Sequence, residues 1–491
     1  MFLFFFLFIY VSYSFTLPSN CGDSIQWKYN QNKTILFLNG SGEMYNFEYG
    51  NTPWINSSQE ISKIIIEDGI TSIGNNAFSS FTKLKSVILP ESISRIGNNS
   101  FAYCILLSSI TLPSNLISLG HSSFFACFAL ESITIPQSIK IIPESAFSCC
   151  SSLESVILSE GLEEIENEAF DNDIKLKSIT LPQSVKRIGD YSFAYCTSLD
   201  TVSIGKGVEY IGYQAFYDDN KISSFIVDSL NTHYESKNGI LFTKGKKELL
   251  IYPPYSSVKE YTIPETVETI SSSAFKNTAF VITVVISDTV KTIGNEVFAN
   301  SERLQSVTIG KGITDIPISA FRNCQSLETI IFGESVSIIR SHAFYFCNSL
   351  KNIILPNNLH TIDNYAFMGS RSLTSIQFGK QIKTFGKYSF SECDSLQSIT
   401  IPETITTIND YAFSYCDKLS SVIFNGKTEP TYCMKTAFSE SHVLQYIKVK
   451  EHYNQTSFCN ISISTKEYQP SNSCVSLLLY LSIVFIFIFI F

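Results

Sequence analysis

Residues 188–205 read IGDYSFAYCTSLDTVSIG and residues 408–424 read INDYAFSYCDKLSSVIF. The two stretches are versions of one unit, Ile-Gly-x-x-Ala-Phe-x-x-Cys-x-x-Leu-x-Ser-Ile-x-Leu-Pro. Its Phe recurs at 78, 101, 124, 147, 170, 193 and 216, then at 275, 298, 321, 344, 367, 390 and 413, each step within a run being 23 residues. From Phe216 to Phe275 the gap is 59, two units plus 13 extra residues, and a last copy ends at Phe438. A fixed period of this length is the mark of a solenoid.

Within one unit, Leu176, Ile179 and Leu181 keep the L-x-x-L-x-L spacing of a leucine-rich repeat, with Phe170 and Ile165 as further apolar positions. In another, Leu84, Val87 and Leu89 point inward along and just before a short strand, while Phe78 and Ile73 plug the same core from the opposite side. A single coil cannot bury this set, but stacked coils bury it continuously. The fold predicted is a right-handed leucine-rich-repeat coil of about fifteen 23-residue repeats, with a parallel β-sheet on one face.

Pro closes many strands (Pro90, Pro113, Pro136, Pro182, Pro264, Pro356, Pro402) because it lacks the N–H that would continue the ladder. Elsewhere Gly205, Gly310, Gly333 or Gly379 takes that place. Gly205-Lys206-Gly207 and Gly310-Lys311-Gly312 are turns between coils, since no third glycine opens a helix at phosphate-loop spacing. The 13 extra residues fall in 228–261, where 239–243 and 248–252 flank Lys244-Gly245-Lys246-Lys247 and predict a β-hairpin projecting from the coil. The domain reading is a signal peptide over 1–14, an N-terminal cap over 15–60, the solenoid over 61–450, a polar spacer over 451–474 and a hydrophobic segment over 475–491.

The repeating unit resembles the repeats of BspA-like surface antigens, a leucine-rich-repeat group of bacterial and protist surface proteins. Cys21-Gly22-Asp23, Trp27, residues 36–44 and Pro53-Trp54 look like the cap that precedes such arrays, and the insertion is similar to one found in the family. The likeness implies exposure at the cell surface and adhesion to host, matrix or neighbouring-cell proteins.

Composition and chain ends agree with an exported protein. Residues 1–11 (MFLFFFLFIYV) are an apolar run too short to span a bilayer, with small residues near Ser14 that suit signal-peptidase cleavage. Residues 475–491 (VSLLLYLSIVFIFIFIF) carry no charge. They read either as a lipid-anchor attachment signal behind a polar spacer or as a short membrane-spanning helix, and in both cases the repeats lie outside the cell. Six N-glycosylation sequons, at Asn32, Asn39, Asn56, Asn98, Asn454 and Asn460, fit that topology, and only Asn98 lies within the array. The formal charge of −9 is dispersed and Lys and Arg do not cluster, so nucleic-acid binding has no support.

Eight of the 13 cysteines, at 104, 127, 150, 196, 324, 347, 393 and 416, stand three residues after the repeat Phe. One cysteine per coil at a fixed inward position reads as a small buried apolar side chain more readily than as a metal or disulfide ladder. Cys433 and Cys459 flank the C-terminal end of the array and are a candidate disulfide. No histidine pair has zinc-ligand spacing and no G-x-S-x-G elbow occurs. Catalysis needs unlike residues converging once, whereas this repeat spreads like residues along a line. The expectation is a protein that is not an enzyme and needs no cofactor.

Positions eight and ten after each Phe should face outward from the sheet. They include Ser109, Thr111, Ser132, Thr134, Ser178, Thr180, Thr201, Ser203, Ser306, Thr308, Ser398 and Thr400, with Ile157, Ile331 and Ile423 among the others. Such a hydroxyl and methyl face is a candidate for binding an extracellular protein or cell-surface ligand, although Ser, Thr and Ile also suit strands for their β-propensity alone. The functional reading is an adhesin, held to the membrane through its C-terminus. The alternative is a surface coat or ligand-sensing protein without an intracellular signalling domain.

Overall fold

The computed structural model describes residues 20–464, so the expected signal peptide and the hydrophobic segment over 475–491 lie outside the described residues. The chain is a parallel β-solenoid of about 17 turns of ~23 residues. Helix is confined, among the described residues, to two short 3₁₀ turns, Ile55–Ser57 and Lys244–Lys246. Two compact units divide the described chain, residues 20–258 with 273–280 and residues 259–272 with 281–464.

In the first unit the alternation Ser-Ile-Thr produces short strands whose middle residue is buried and whose flanking residues face out, as in Ser178–Thr180. That strand pairs in parallel with Thr201–Ile204, and Thr201–Ile204 with Ser224–Val227, in a register that advances by one repeat (Ser178↔Thr201↔Ser224). A second, narrower parallel ladder runs along another side of the coils through Ile141–Ile142, Glu164–Ile165, Arg187–Ile188 and Tyr210–Ile211. Sequence reading predicts one sheet, because two-residue strands are too short to show a period.

The remaining side is made of turns. In each of several coils two residues flanking the Phe adopt left-handed backbone, for example Glu168 (φ 55°) and Asn172 (φ 61°), then Tyr191 (φ 53°) and Tyr195 (φ 59°). This conformation aims their amides along the stack: Glu168 N donates to Asp190 O at 3.0 Å, and Asn172 N to Ala194 O at 2.7 Å. Coils are therefore cross-linked by backbone hydrogen bonds on the turn side as well as through the two ladders.

Inside, the Phe residues form a continuous stack. Ring centroids along Phe78, Phe101, Phe124, Phe147, Phe170, Phe193 and Phe216 are 5.3 to 5.5 Å apart. Trp54, fully buried, starts the stack 5.2 Å from Phe78 and donates its Nε1–H to Ala77 O at 2.7 Å, so the cap supplies the ring a missing coil would have provided. The cap strand Ile35–Glu43 pairs antiparallel with Ser24–Tyr29 and in parallel with Lys63–Ile66, which covers the open end of the sheet.

The insertion departs from the projecting hairpin the sequence suggests. Tyr234–Lys237, Ile240–Thr243 and Glu248–Ile251 make a three-stranded antiparallel meander. Leu241, Phe242 and Leu249 are fully buried, so apolar burial draws the meander onto the coils. Buried Asn231 pins its start, donating from Nδ2 to Gly205 O (2.9 Å) and Val208 O (3.0 Å). Tyr234 OH receives the Ile211 amide at 2.9 Å, where the next coil's ladder would have lain.

The second unit repeats the plan. Glu260–Thr262, Thr283–Val285, Ser306–Thr308 and Thr329–Ile331 pair in order, as do Asn352–Ile354, Ser375–Gln377, Ser398–Ile401, Ser421–Phe424 and Ile447–Val449. Its Phe stack runs from Phe298 to Phe438 at 4.8 to 5.3 Å.

Candidate binding surfaces

The outward columns of the main sheet lie where the alternation places them. In the first unit Ser109, Thr111, Ser132, Thr134, Ser178 and Thr180 are exposed, and Thr201 and Ser203 half-buried. In the second unit Ser398 and Thr400 are exposed, and Ser306 and Thr308 half-buried. The register sets like residues side by side, Ser132 opposite Ser155, Ser178 opposite Thr201 and Ser398 opposite Ser421, at the ~4.8 Å spacing of adjacent strands. The column ten after the Phe mixes these hydroxyls with open isoleucines, Ile157 at 60% exposure and Ile226 at 54%. Neither column carries a charge from Ser86 to Ile226 in the first unit, Lys63 opposite Ser86 being the charge at the cap end. Ion pairs sit beside the face and on other sides of the coils, such as Lys177–Glu154 (2.6 Å), Lys186–Glu163 (3.0 Å) and Arg187–Glu164 (2.9 Å).

The sequons leave these columns clear from Ser86 onward, while Asn39 lies on the outward side of the cap strand Ile35–Glu43 at the end of the same sheet. Asn32, Asn56, Asn98, Asn454 and Asn460 are exposed and Asn39 half-buried. Asn98 stands on the turn side, where its Oδ1 accepts the His121 amide at 3.0 Å and leaves Nδ2, the atom that would carry a glycan, without a bond of its own in that contact.

A second surface escapes the sequence reading. On the turn side of the first unit Tyr191, Tyr195, Tyr213 and Tyr217 form a cluster of edge-to-face rings, with centroids 5.8 Å (191–213) and 5.6 Å (195–217) apart. Tyr213 and Tyr195 are 57% and 42% exposed. Nearby, burial and the Glu168 charge push the Asp171 carboxyl up to about 6. The second unit has a different arrangement, with His342, Tyr365, Tyr388 and Tyr411 stacked face to face at 4.8 to 5.2 Å. Tyrosine two residues before the repeat Phe was the available signal in the second unit (Tyr365, Tyr388, Tyr411), whereas in the first unit only Tyr191 holds that position.

The cysteine position is not merely apolar. Each column thiol reaches the carbonyl of the Phe 26 residues earlier, Cys104 to Phe78 O at 3.2 Å, Cys150 to Phe124 O at 3.3 Å and Cys324 to Phe298 O at 3.0 Å. Ser370 and Ser441 do the same with hydroxyls, to Phe344 O (3.2 Å) and Phe413 O (2.8 Å). Burial raises the Cys127 thiol to about 12 and Cys150 well above its ordinary value.

At the C-terminal end Cys433 and Cys459 are drawn together with Cα atoms 5.1 Å apart and their sulfurs paired. Glu429 accepts the Cys459 amide at 2.6 Å. Glu429, Cys433 and Cys459 are the group of three close metal-ligating side chains found among the described residues. A disulfide between the two cysteines leaves neither thiolate to ligate.

A sequence profile of the BspA type leucine-rich repeat region matches residues 54–135, 118–238, 254–371 and 337–464. No curated protein sequence matches the chain. Among solved structures, it is similar to a leucine-rich repeat protein from Eubacterium ventriosum, at 23% identity and TM-score 0.55, covering 80% of this chain and 93% of that one. It is also similar to one from Bacteroides ovatus, at 25% identity and TM-score 0.51, covering 80% and 95%. A leucine-rich cell surface protein from Faecalibacterium prausnitzii aligns at 22% identity and TM-score 0.48, covering 84% and 96%.

Proposed function

Since the chain belongs to the BspA-type leucine-rich-repeat family, we propose that it is a cell-surface adhesin that binds host, matrix or neighbouring-cell proteins through the outward columns of its main sheet. The repeats face the outside of the cell, and the segment over 475–491 holds them there as a lipid anchor or a membrane-spanning helix. The observation that carries this reading is the main-sheet face itself, a registered array of hydroxyls and exposed isoleucines that carries no charge from Ser86 to Ile226 in the first unit and no sequon on that face over those coils. A flat sheet face of this kind gives up little desolvation energy and can spread contact over many coils. Its chemistry is that of an interaction scaffold and not of catalysis.

The test has two arms. Intact expressing cells are labelled with antibody to the repeats, with and without a phospholipase that cleaves glycolipid anchors. Loss of label on treatment supports a lipid anchor, retained label supports a spanning helix, and no label in either sample rejects the surface adhesin. In the second arm, adhesion to cells or matrix is compared for the full-length protein, a Thr134→Arg/Thr180→Arg variant on the sheet face and a Tyr195→Ser/Tyr213→Ser variant on the turn face. Adhesion lost only in the first variant supports the sheet face. Adhesion lost only in the second moves the site to the tyrosine cluster, and surface display with no adhesion at all favours a coat or ligand-sensing role.

A further inference from the structure

Two coils of the first unit break the cysteine column with a carboxylate. Asp173 and Asp219 stand three residues after Phe170 and Phe216, the position held by Cys150 before them and Cys196 between them. Asp173 is fully buried and Asp219 is 1% exposed, and no side-chain donor reaches either oxygen of either carboxyl; the one donor near each is a backbone amide, that of Cys150 for Asp173 and that of Cys196 for Asp219. In the neighbouring coils this position supplies a hydrogen to the Phe carbonyl 26 residues earlier, from Cys150 to Phe124 O at 3.3 Å and from Cys196 to Phe170 O at 3.2 Å. The corresponding acceptors for the two aspartates are the carbonyls of Phe147 and Phe193. An ionised carboxylate has no hydrogen to give and would face that carbonyl dipole with a buried charge that no cation offsets, whereas a protonated carboxyl is a donor like the thiol and hydroxyl it replaces.

We propose that Asp173 and Asp219 sit in the folded array as neutral carboxylic acids, each donating its hydrogen to the phenylalanine carbonyl one coil back, and that they make this unit acid-stabilised. The titratable groups around them offer no countercharge. Asp173 faces Cys149 and Asp171, and Asp219 faces Asp171 and Asp218; the backbone amides of Cys150 and Cys196 oppose the effect of burial without outweighing it. Lys276 is the nearby cation, and it is engaged by Asp218 at 3.3 Å and by the Tyr217 hydroxyl. Burial pushes both carboxyls well above the usual range, in agreement with the geometry.

The sign of the linkage follows. A folded-state proton affinity higher than that of an unfolded aspartate, near 3.9, means the folded protein holds more protons than the unfolded one. Stability from these groups is fully present below the unfolded value and is lost progressively as pH rises toward the folded one. The coils concerned carry the half-buried Tyr191 and the exposed Tyr195 and Tyr213 and adjoin the insertion, so loosening on alkalinisation would begin beneath that surface.

The experiment compares the full-length protein with an Asp173→Ser/Asp219→Ser variant, which installs the hydroxyl seen at Ser370 and Ser441, and with an Asp173→Asn/Asp219→Asn variant, which keeps the shape and supplies an amide donor. Thermal midpoints are measured between pH 4 and pH 8. Both variants should match the parent near pH 4 and exceed it by roughly 2–4 °C or more at pH 8. A difference that is absent at pH 8, or unchanged across the range, overturns the proposal. Infrared difference spectra at pH 7 supply a readout independent of stability: the carbonyl stretch of a protonated carboxylic acid is present in the parent and missing from the Asn variant, and its absence from the parent also overturns the proposal.

Discussion

Phe147 lies between Phe124 and Phe170, with centroids 5.3 and 5.4 Å away and no exposure to solvent. Truncating it removes two ring contacts and leaves a cavity that neither neighbouring coil can fill without breaking its own backbone bonds. Phe147→Ala is expected to cost roughly 3–5 kcal/mol, and Phe147→Leu less, in urea melts followed by circular dichroism. The cysteines make a contrasting prediction. Among the described free cysteines only Cys149 is not buried, whereas burial holds the column thiols away from the reactive thiolate. Alkylation of the native protein should therefore mark Cys149 and spare Cys104, Cys127, Cys150 and Cys196, as read by peptide mass spectrometry; rapid labelling of the column would refute their assignment as buried donors. Cys150→Ser should be nearly neutral, because Ser370 and Ser441 already fill that role. Cys150→Ala removes one of two hydrogens on the Phe124 carbonyl, which keeps the Cys127 amide at 3.2 Å, and is expected to cost about 1 kcal/mol.

At the scale of elements, what sequence reading could recover depended on length and on period. Leu176, Ile179 and Leu181 announce the strand Ser178–Thr180, because a buried–exposed alternation persists through it and recurs every 23 residues. The second ladder could not be found this way, since Glu164–Ile165 and Arg187–Ile188 are two residues each. The left-handed turns were equally silent: Glu168, Tyr191 and Tyr195 take positive φ without the glycine that would mark it, and the tyrosine cluster they present was missed with them. In the insertion, Ile240–Thr243 and Glu248–Ile251 were legible as a hairpin. Tyr234–Lys237 (YESK) has no apolar alternation, so the third strand of the meander was not. The C-terminal end adds a prediction of its own. Ser457–Phe458 turns back on Ile461–Ser464, and the Cys433–Cys459 pair ties this last hairpin to Tyr432–Cys433 across 26 residues. If the pair is oxidised, unreduced peptide mapping will recover the two cysteines on one linked fragment. Cys433→Ser should then lower the stability of the C-terminal coils by about 3 kcal/mol and expose the chain near Lys450 to limited proteolysis. Recovery of both as free thiols would reject the link.

For the whole molecule the decisive property is where charge has been placed. The chain carries a formal charge of −9, yet the outward columns of the first unit's sheet have none from Ser86 to Ile226. Beside that face and elsewhere on the same coils, acidic residues are matched by Lys177, Lys186 and Arg187. The turn side differs, because there Glu168 and Asp171 lie close together, and burial first and the Glu168 charge second raise the Asp171 carboxyl to about 6. These two surfaces would respond to salt in opposite ways. Exposed charges more than ~8 Å apart are largely screened at 0.15 M ionic strength, so a partner held by hydroxyls and isoleucines should be almost indifferent to added salt, while a cationic partner held by the turn-side carboxylates should be released. Adhesion through the sheet face is accordingly expected to change by less than about threefold in apparent affinity between 0.05 and 0.5 M NaCl. A fall of tenfold or more, together with weaker binding of a Glu168→Gln/Asp171→Asn variant at low salt, would assign recognition to the turn side. A flat salt response abolished by Thr134→Arg/Thr180→Arg would assign it to the sheet, where the 23-residue period itself repeats the contact from coil to coil.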